Sequence, residues 1–285
     1  MEEAIKKAEV LIEALPYIRK FRNKSVVIKY GGSILGEEKI REGVLEDIVF
    51  LNFMGLKTVL VHGGGPNISD RMRQTGKKSE FVDGIRVTDE ATLEVVEEEL
   101  QKLNDLIVKE LSSLGVKAVG LNGKDNGVLQ AVKKIADIDL GLVGQITGVN
   151  AKVITDELSK DKVVVILPMG RGEAGGKVYN VNADESAANI AAALHAEKLV
   201  LLTNVKGIMR NPEDPGSFLS TLTREEAVGL IGGKVIQTGM IPKVNACIEA
   251  LDKGVKKTHI IDACLSHALL LEIFTDKGVG TEIVE

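Results

Sequence analysis

The sequence predicts an α/β protein built on a mainly parallel sheet covered by helices on both faces. Three observations carry this. Short runs at 26–30, 58–62, 116–120, 163–167, 198–203 and 258–262 are rich in Val, Ile and Leu and continuous rather than alternating. Segments with helical spacing at 38–54, 89–113, 183–194 and 239–253 separate most of them. Continuous apolar strands between helices belong to sheets buried on both faces. Third, two runs end in glycine-rich turns, Lys29-Tyr30-Gly31-Gly32-Ser33 and His62-Gly63-Gly64-Gly65-Pro66, where a strand passes through a turn into a helix.

In chain order, residues 3–20 read as one amphipathic helix, with Ile5, Ala8, Ile12, Leu15 and Ile18 recurring at spacings of three and four. Pro16 removes a backbone donor near its end and is expected to kink it. The helix packs on its own domain or docks on another subunit; the two readings are even at this point. Residues 79–88 and 128–149 alternate apolar residues with Gly and Asp turns and read as β-hairpins decorating the first half. The Gly-rich stretch from Gly170 to Gly176 places a lobe boundary near 180, beyond which helix and strand alternate again. Asn211 to Gly216 is a surface loop.

Composition narrows the function. A chain of 285 residues fits one large α/β domain or two lobes sharing a sheet. With no Trp and 3% aromatics, Val, Ile, Leu and Ala must build the core. A net charge of −5 and a pI near 5.6 give no case for nucleic acid. Cys247 and Cys264 are too few for a disulfide framework and imply a reducing compartment, with both thiols expected buried and inert. Glu2 and Glu3 replace the basic start of a signal peptide, and no apolar run approaches the roughly 20 residues of a membrane span. A soluble, cytoplasmic protein is expected.

The motifs point to phosphate chemistry. Each glycine turn exposes N–H groups beside a helix N-terminus, where the dipole favours an anion. Two such turns, one carrying Lys29, suit the two anionic groups of a phosphoryl transfer. Lys29 at a strand's carboxyl end points into the cleft where open α/β sheets bind ligands. Arg86, in Asp83-Gly84-Ile85-Arg86-Val87-Thr88-Asp89, suits a carboxylate, and Thr88 or Asp89 caps the next helix. Asn180, Asn182 and Asp184 share one side of an extended segment; Asn182 or Asp184 caps the Ala-rich helix, or the three form a polar cluster at the lobe junction. Lys243, just after Pro242 at a helix start, is locally unfavourable unless it serves a bound phosphate. Gly170 to Gly175 matches G-x-G-x-x-G, but Pro168 precedes it and 177–181 looks extended, so a dinucleotide site is not expected. No Walker A, C-x-x-C or H-E-x-x-H pattern occurs.

In order, Lys29–Gly32, His62–Pro66, Gly84–Asp89, Tyr179–Asp184, Gly239–Lys243 and Leu269–Asp276 resemble the motifs of the amino-acid kinase family over roughly residues 10–285. The resemblance implies an αβα sandwich of two lobes: an acyl-amino-acid-binding N-lobe at 21–180 and an ATP-binding C-lobe at 181–285, after an N-terminal oligomerisation helix at 1–20. It implies MgATP-dependent phosphorylation of the side-chain carboxylate of N-acetyl-L-glutamate. Lys29 and Lys243 would stabilise the phosphoryl group in flight, with Asp184 organising them. Gly64, Gly65, Arg86, Asn180 and Asn182 would hold the acceptor. Gly31, Gly32, Thr203, Asn204, Lys206, Gly207 and Gly239 would serve ATP, with Mg2+ held mainly by ATP phosphates and water and no dedicated protein metal site. Asn204 stands where the family often has Asp, Thr238 where it often has Gly, and Ser33-Ile34-Leu35 where smaller residues are common. The arginine-inhibited branch is the nearer one, through Leu15-Pro16-Tyr17. Its extra helix interlaces dimers into a hexamer, and Tyr17, His259, Glu272 and Gly278 would form the L-arginine site. A nitrogen-signalling protein is a further candidate partner. The alternatives are an acetylaminoadipate kinase and a nonenzymatic arginine-responsive subunit.

Overall fold

The computed structural model describes every residue except Ala174, Gly175, Pro212, Gln237, Thr238, Asp276 and Lys277. The chain begins with α1 (Glu2–Glu13) and α2 (Leu15–Phe21). The single helix expected over 3–20 is therefore two, divided at Ala14. Pro16 sits in the first turn of α2, where its missing N–H would be unpaired in any case, and starts a helix instead of kinking one.

The first half continues through β1 (Ser25–Tyr30), α3 (Glu38–Phe53), β2 (Lys57–His62), α4 (Gly65–Gln74), a hairpin of β3 (Phe81–Val82) and β4 (Ile85–Arg86), α5 (Glu90–Ser113) and β5 (Lys117–Asn122). Next come β6 (Leu129–Lys133), β7 (Val143–Val149), α6 (Ala151–Leu158), β8 (Lys162–Leu167), β9 (Met169–Arg171) and β10 (Val178–Val181). The second half holds α7 (Ala183–Ala193), β11 (Lys198–Thr203), a hairpin of β12 (Ile208–Met209) and β13 (Phe218–Leu219), β14 (Thr221–Thr223), α8 (Arg224–Gly232), α9 (Ile241–Asp252), β15 (Thr258–Asp262), α10 (Ala268–Phe274) and β16 (Thr281–Val284). Side chains set several of these starts. Asp89 caps α5 by accepting from Thr92 N at 2.7 Å, Asn182 caps α7, and Thr223 with Glu226 forms a capping box on α8.

One eight-stranded sheet, ordered β14-β16-β15-β11-β1-β2-β8-β5, runs through both halves. The six strands from β15 to β5 are mutually parallel, and β16 is antiparallel to β15. Alternate residues build two cores. Val27, Val59, Val61, Ile166 and Leu201 pack under α7 and α9. Ile28, Tyr30, Leu60, Val165 and Val200 pack under α3, α5 and α10. Both faces are thus covered, as the unbroken apolar runs require.

The expected hairpin at 128–149 is the pair β6–β7, but it does not stand alone: β9 and β10 close it into a small four-stranded barrel. The expected hairpin at 79–88 is β3–β4. Cys247 is buried, as expected; Cys264 is exposed, because it lies in the turn after β15 at the sheet's rim rather than on a packed strand or helix. Among the described residues, no helix is long and apolar enough to cross a membrane.

Candidate functional site

The carboxyl ends of β1 and β2 meet the first turns of α4, α7 and α9. Lys29, near the end of β1, has its side chain only 7% exposed, because it crosses the buried end of the sheet toward α7. There it meets Asp184, in the first turn of α7, at 2.9 Å between Nζ and Oδ1. Lys243, from the first turn of α9, reaches the other oxygen of the same carboxylate: Nζ donates to Oδ2 at 3.0 Å. One buried carboxylate therefore holds two lysines from opposite sides. Burial alone would raise the Asp184 pKa, but Lys29 and Lys243 outweigh it and hold the carboxyl at about 2. Burial also pulls the Lys29 pKa below its ordinary value, against the pull of Asp184.

The two glycine turns touch. A Cβ on Gly31 would lie 3.1 Å from the Gly63 amide nitrogen and 3.2 Å from the Lys29 Nζ. Beside them is a cavity of about 200 Å³ lined by Lys29, Gly32, Gly64, Gly65, Arg86, Asn180 and Asn182. All five expected acceptor residues lie on it. Arg86 is buried, and Nη2 donates to Gly65 O at 3.0 Å and to Ser69 Oγ at 2.8 Å, while Nη1 donates to Ser79 Oγ at 2.7 Å. Its guanidinium sits 4.7 Å from the Phe81 ring centroid. No carboxylate of a described residue pairs with it, so its charge is left for an incoming anion. The Gly64 and Gly65 amides likewise meet no partner among the described residues, as expected of a free helix N-terminus. Asn180 donates to Thr88 Oγ1 at 3.2 Å. Asn182 uses its side-chain oxygen to accept the Asp184 and Glu185 amides, so it positions the Asp184 turn as well as lining the cavity.

A second cavity, of about 340 Å³, is lined by Thr203, Asn204, Gly207, Gly239 and Lys243 together with Val205, Ile208, Met209, Val235, Ile236 and Met240. This mix of apolar wall and few polar groups suits a nucleoside. Lys206 is exposed and does not line it, Gly31 lines neither cavity, and Gly32 lies on the first one. Thr238 lies outside the described residues. Met169–Arg171 is a strand after Pro168 and Val178–Val181 another, so described strands flank the glycine run, while Ala174 and Gly175 lie outside the described residues.

A third cavity, of about 200 Å³, lies at the opposite end of the strands. Tyr17, His259, Glu272 and Gly278 all line it, joined by Lys20, Lys198, Lys257 and Glu282. Glu272 is buried. Its Oε1 lies 2.6 Å from His259 Nδ1, and its Oε2 accepts the Val279 amide at 2.8 Å and the Gly280 amide at 3.1 Å. Burial opposes ionisation, but His259 and the two amides prevail and bring its pKa to about 2. Gly278 has φ +60°, and a Cβ there would come within 2.8 Å of both carboxylate oxygens. The sequence reading placed the nucleotide against 203–207 and the segment before Gly239, but it missed Ile208 and Met209 of the second cavity, Ser69, Ser79 and Phe81 around Arg86, and the lysines of the third cavity. None carries a motif; folding alone assembles them.

The chain is similar to known proteins in sequence and in fold. Residues 24–262 match the amino acid kinase family. A protein of Thermoanaerobacter pseudethanolicus named acetylglutamate kinase is 50% identical over 282 residues, covering 99% of this chain and 94% of that one. One from Heliobacterium modesticaldum with the same name is 46% identical over 296 residues, covering all of both. Among solved structures, N-acetylglutamate synthase from Neisseria gonorrhoeae with coenzyme A and N-acetyl-glutamate is 28% identical with a TM-score of 0.86, matching 98% of this chain but 63% of that longer one. The same synthase with coenzyme A and L-arginine gives a TM-score of 0.82 at 27% identity. Carbamate kinase from Giardia lamblia, at 18% identity and a TM-score of 0.69 over 92% of this chain and 99% of that one, shares the fold.

Proposed function

Because the chain belongs to the amino acid kinase family, we propose that it phosphorylates the side-chain carboxylate of N-acetyl-L-glutamate with ATP, a step of arginine biosynthesis. The observation that carries this is the bridging carboxylate: Lys29 lines the acceptor cavity, Lys243 lines the nucleotide cavity, and Asp184 joins them. The acceptor carboxylate has an ordinary pKa of about 4.3 and is ionised at neutral pH, so no general base is needed. The obstacle is repulsion between two anions, and cations fixed in place remove it. Arg86 and the Gly64 and Gly65 amides hold the acceptor, with Asn180 and Asn182 beside them.

The nucleotide lies on the apolar wall between Thr203 and Met240. Mg2+ would be carried in on the ATP phosphates, which supply its oxygen ligands and leave the Asp184 carboxylate to the lysines. Residues 21–180 form the acceptor lobe and 181–285 the nucleotide lobe. Purified protein given MgATP should convert N-acetylglutamate to an acyl phosphate trapped by hydroxylamine. Turnover of acetylaminoadipate, carbamate or aspartate in its place would reassign the acceptor.

L-arginine fits the third cavity as an inhibitor. The lining offers Glu272 and Glu282 for its guanidinium and ammonium, and Lys20, Lys198 and Lys257 for its carboxylate. The exposed Ile5, Val10, Leu11, Ile12 and Leu15 of α1 and α2 leave apolar surface around these helices for a second dimer, as a hexamer requires. A Glu272→Gln variant is expected to need about tenfold or more L-arginine for half-inhibition, since a charged hydrogen bond contributes about 1.5–3 kcal/mol. Titration of turnover with L-arginine checks this; an unchanged midpoint removes Glu272 from the site.

A further inference from the structure

His62 ends β2 immediately before the Gly63-Gly64-Gly65 turn, is fully buried, and has no part in the transfer described above. Its ring nitrogens face two partners. Nδ1 lies 3.1 Å from Gly63 O, and Nε2 lies 3.1 Å from Asn104 Nδ2. Asn104 projects from α5 into the same core, and its Nδ2 also donates to Val165 O at 3.1 Å.

The direction of these bonds is fixed from one end. A backbone carbonyl only accepts, so the Asn104 atom facing Val165 O is the amide nitrogen. That nitrogen carries two hydrogens; the second goes to His62 Nε2, which must then be the unprotonated ring nitrogen. The imidazole proton sits on Nδ1 and is donated to Gly63 O. Burial holds the imidazole pKa at about 4, so the ring stays neutral and keeps this polarity at neutral pH.

The consequence lies in the peptide plane. In a trans peptide the carbonyl and the following N–H point in opposite directions. With the Gly63 carbonyl held toward His62, the Gly64 N–H is turned the other way, to the cavity that Gly64 lines. A Gly63–Gly64 unit has little steric resistance to flipping. A flipped unit would aim a carbonyl dipole at an incoming anion.

We propose that His62 and Asn104 are positioning residues that lock the Gly63–Gly64 peptide with its N–H facing the reacting carboxylate and phosphoryl group. This rests on the phosphoryl-transfer reading of the site. Gly120, on β5, belongs to the same device. A Cβ there would overlap Asn104 Oδ1 and lie 3.1 Å from Asn104 Cγ, so only glycine leaves room for the amide.

The proposal separates from a structural role by which kinetic constant moves. His62→Leu is expected to lower kcat about 10- to 100-fold, a fraction of the roughly 10²–10³ lost with an oxyanion donor, with KM for ATP within about threefold of the parent. His62→Asn, which keeps a donor at the Nδ1 position, should stay within about fivefold of parental kcat. Gly120→Ala, two strands away from β2, should reproduce the His62→Leu loss. On the unaltered protein, ¹⁵N-histidine NMR should show His62 as the Nδ1–H tautomer. An Nε2–H tautomer overturns the proposal even if every variant misfolds. So does a folded His62→Leu enzyme with parental kcat, or a His62→Asn enzyme as impaired as His62→Leu. If the parent forms no acyl phosphate, the functional reading fails, and the tautomer alone then judges the lock.

Discussion

Lys29→Met is expected to lower kcat by roughly 10²–10³-fold, the loss that follows removal of one fixed charge-stabilising donor. The side chain sits at the end of β1, between the acceptor cavity and Asp184, where it is screened from water. In that setting an ammonium acts on developing phosphoryl charge far more strongly than one in solvent. Methionine fills the same volume without the charge. Nucleotide affinity should change little, because the cavity between Thr203 and Met240 does not include Lys29. Initial rates of hydroxamate formation over both substrates check this. A variant that kept parental kcat and lost only acceptor affinity would make Lys29 a binding group and leave Lys243 alone to stabilise the transfer.

Asp184→Asn should destabilise the fold by about 3–5 kcal/mol, the usual cost of breaking a buried ion pair from one side. Two ammonium groups would then share a site with no carboxylate between them. The native carboxyl titrates at about 2, below its ordinary 3.8. Its stabilisation is therefore present above about pH 3.8 and disappears as pH falls toward 2. Urea denaturation of parent and variant should diverge at pH 7, and the gap should narrow between pH 4 and pH 2 by about 2 kcal/mol, the part the pKa shift carries. A gap that stays constant across that range would place the stabilisation in packing rather than in charge.

Much of this was legible in the sequence. Five of the six parallel strands announced themselves because strands buried on both faces must be continuously apolar; β5, at the sheet's edge, gave a similar run although none of its residues is fully buried. The elements that escaped are short. β14 has three residues and β16 four, and α6, α8 and α10 have seven to nine, too few to display a period. The closing of the small barrel by β9 and β10 is a nonlocal pairing that no local pattern encodes. Lys29, Asp184 and Lys243 were visible as motif residues, but their convergence on one carboxylate exists only in the fold. Asn104 did leave a trace. It interrupts the buried stripe of Leu100, Leu103, Ile107 and Leu111 on α5, and a polar residue on such a stripe needs a partner. The exposure of Cys264 went the other way, since a turn at a strand's end looks the same in sequence whether or not another element covers it.

The sheet's register adds one mechanical point. Val26 of β1 pairs with Lys198, and Lys29 pairs with Leu201. Lys198 lines the cavity that holds Tyr17, His259 and Glu272. That cavity and Lys29 thus sit near opposite ends of two adjoining strands, three residues or about 10 Å apart at the 3.3 Å rise of parallel strands. An extended strand is already near its full length and behaves as a strut. Lys198 of β11 and Lys29 of β1 are joined by the ladder that runs from Val26–Lys198 to Lys29–Leu201, so the wall of that cavity and Lys29 belong to one stiff piece of sheet.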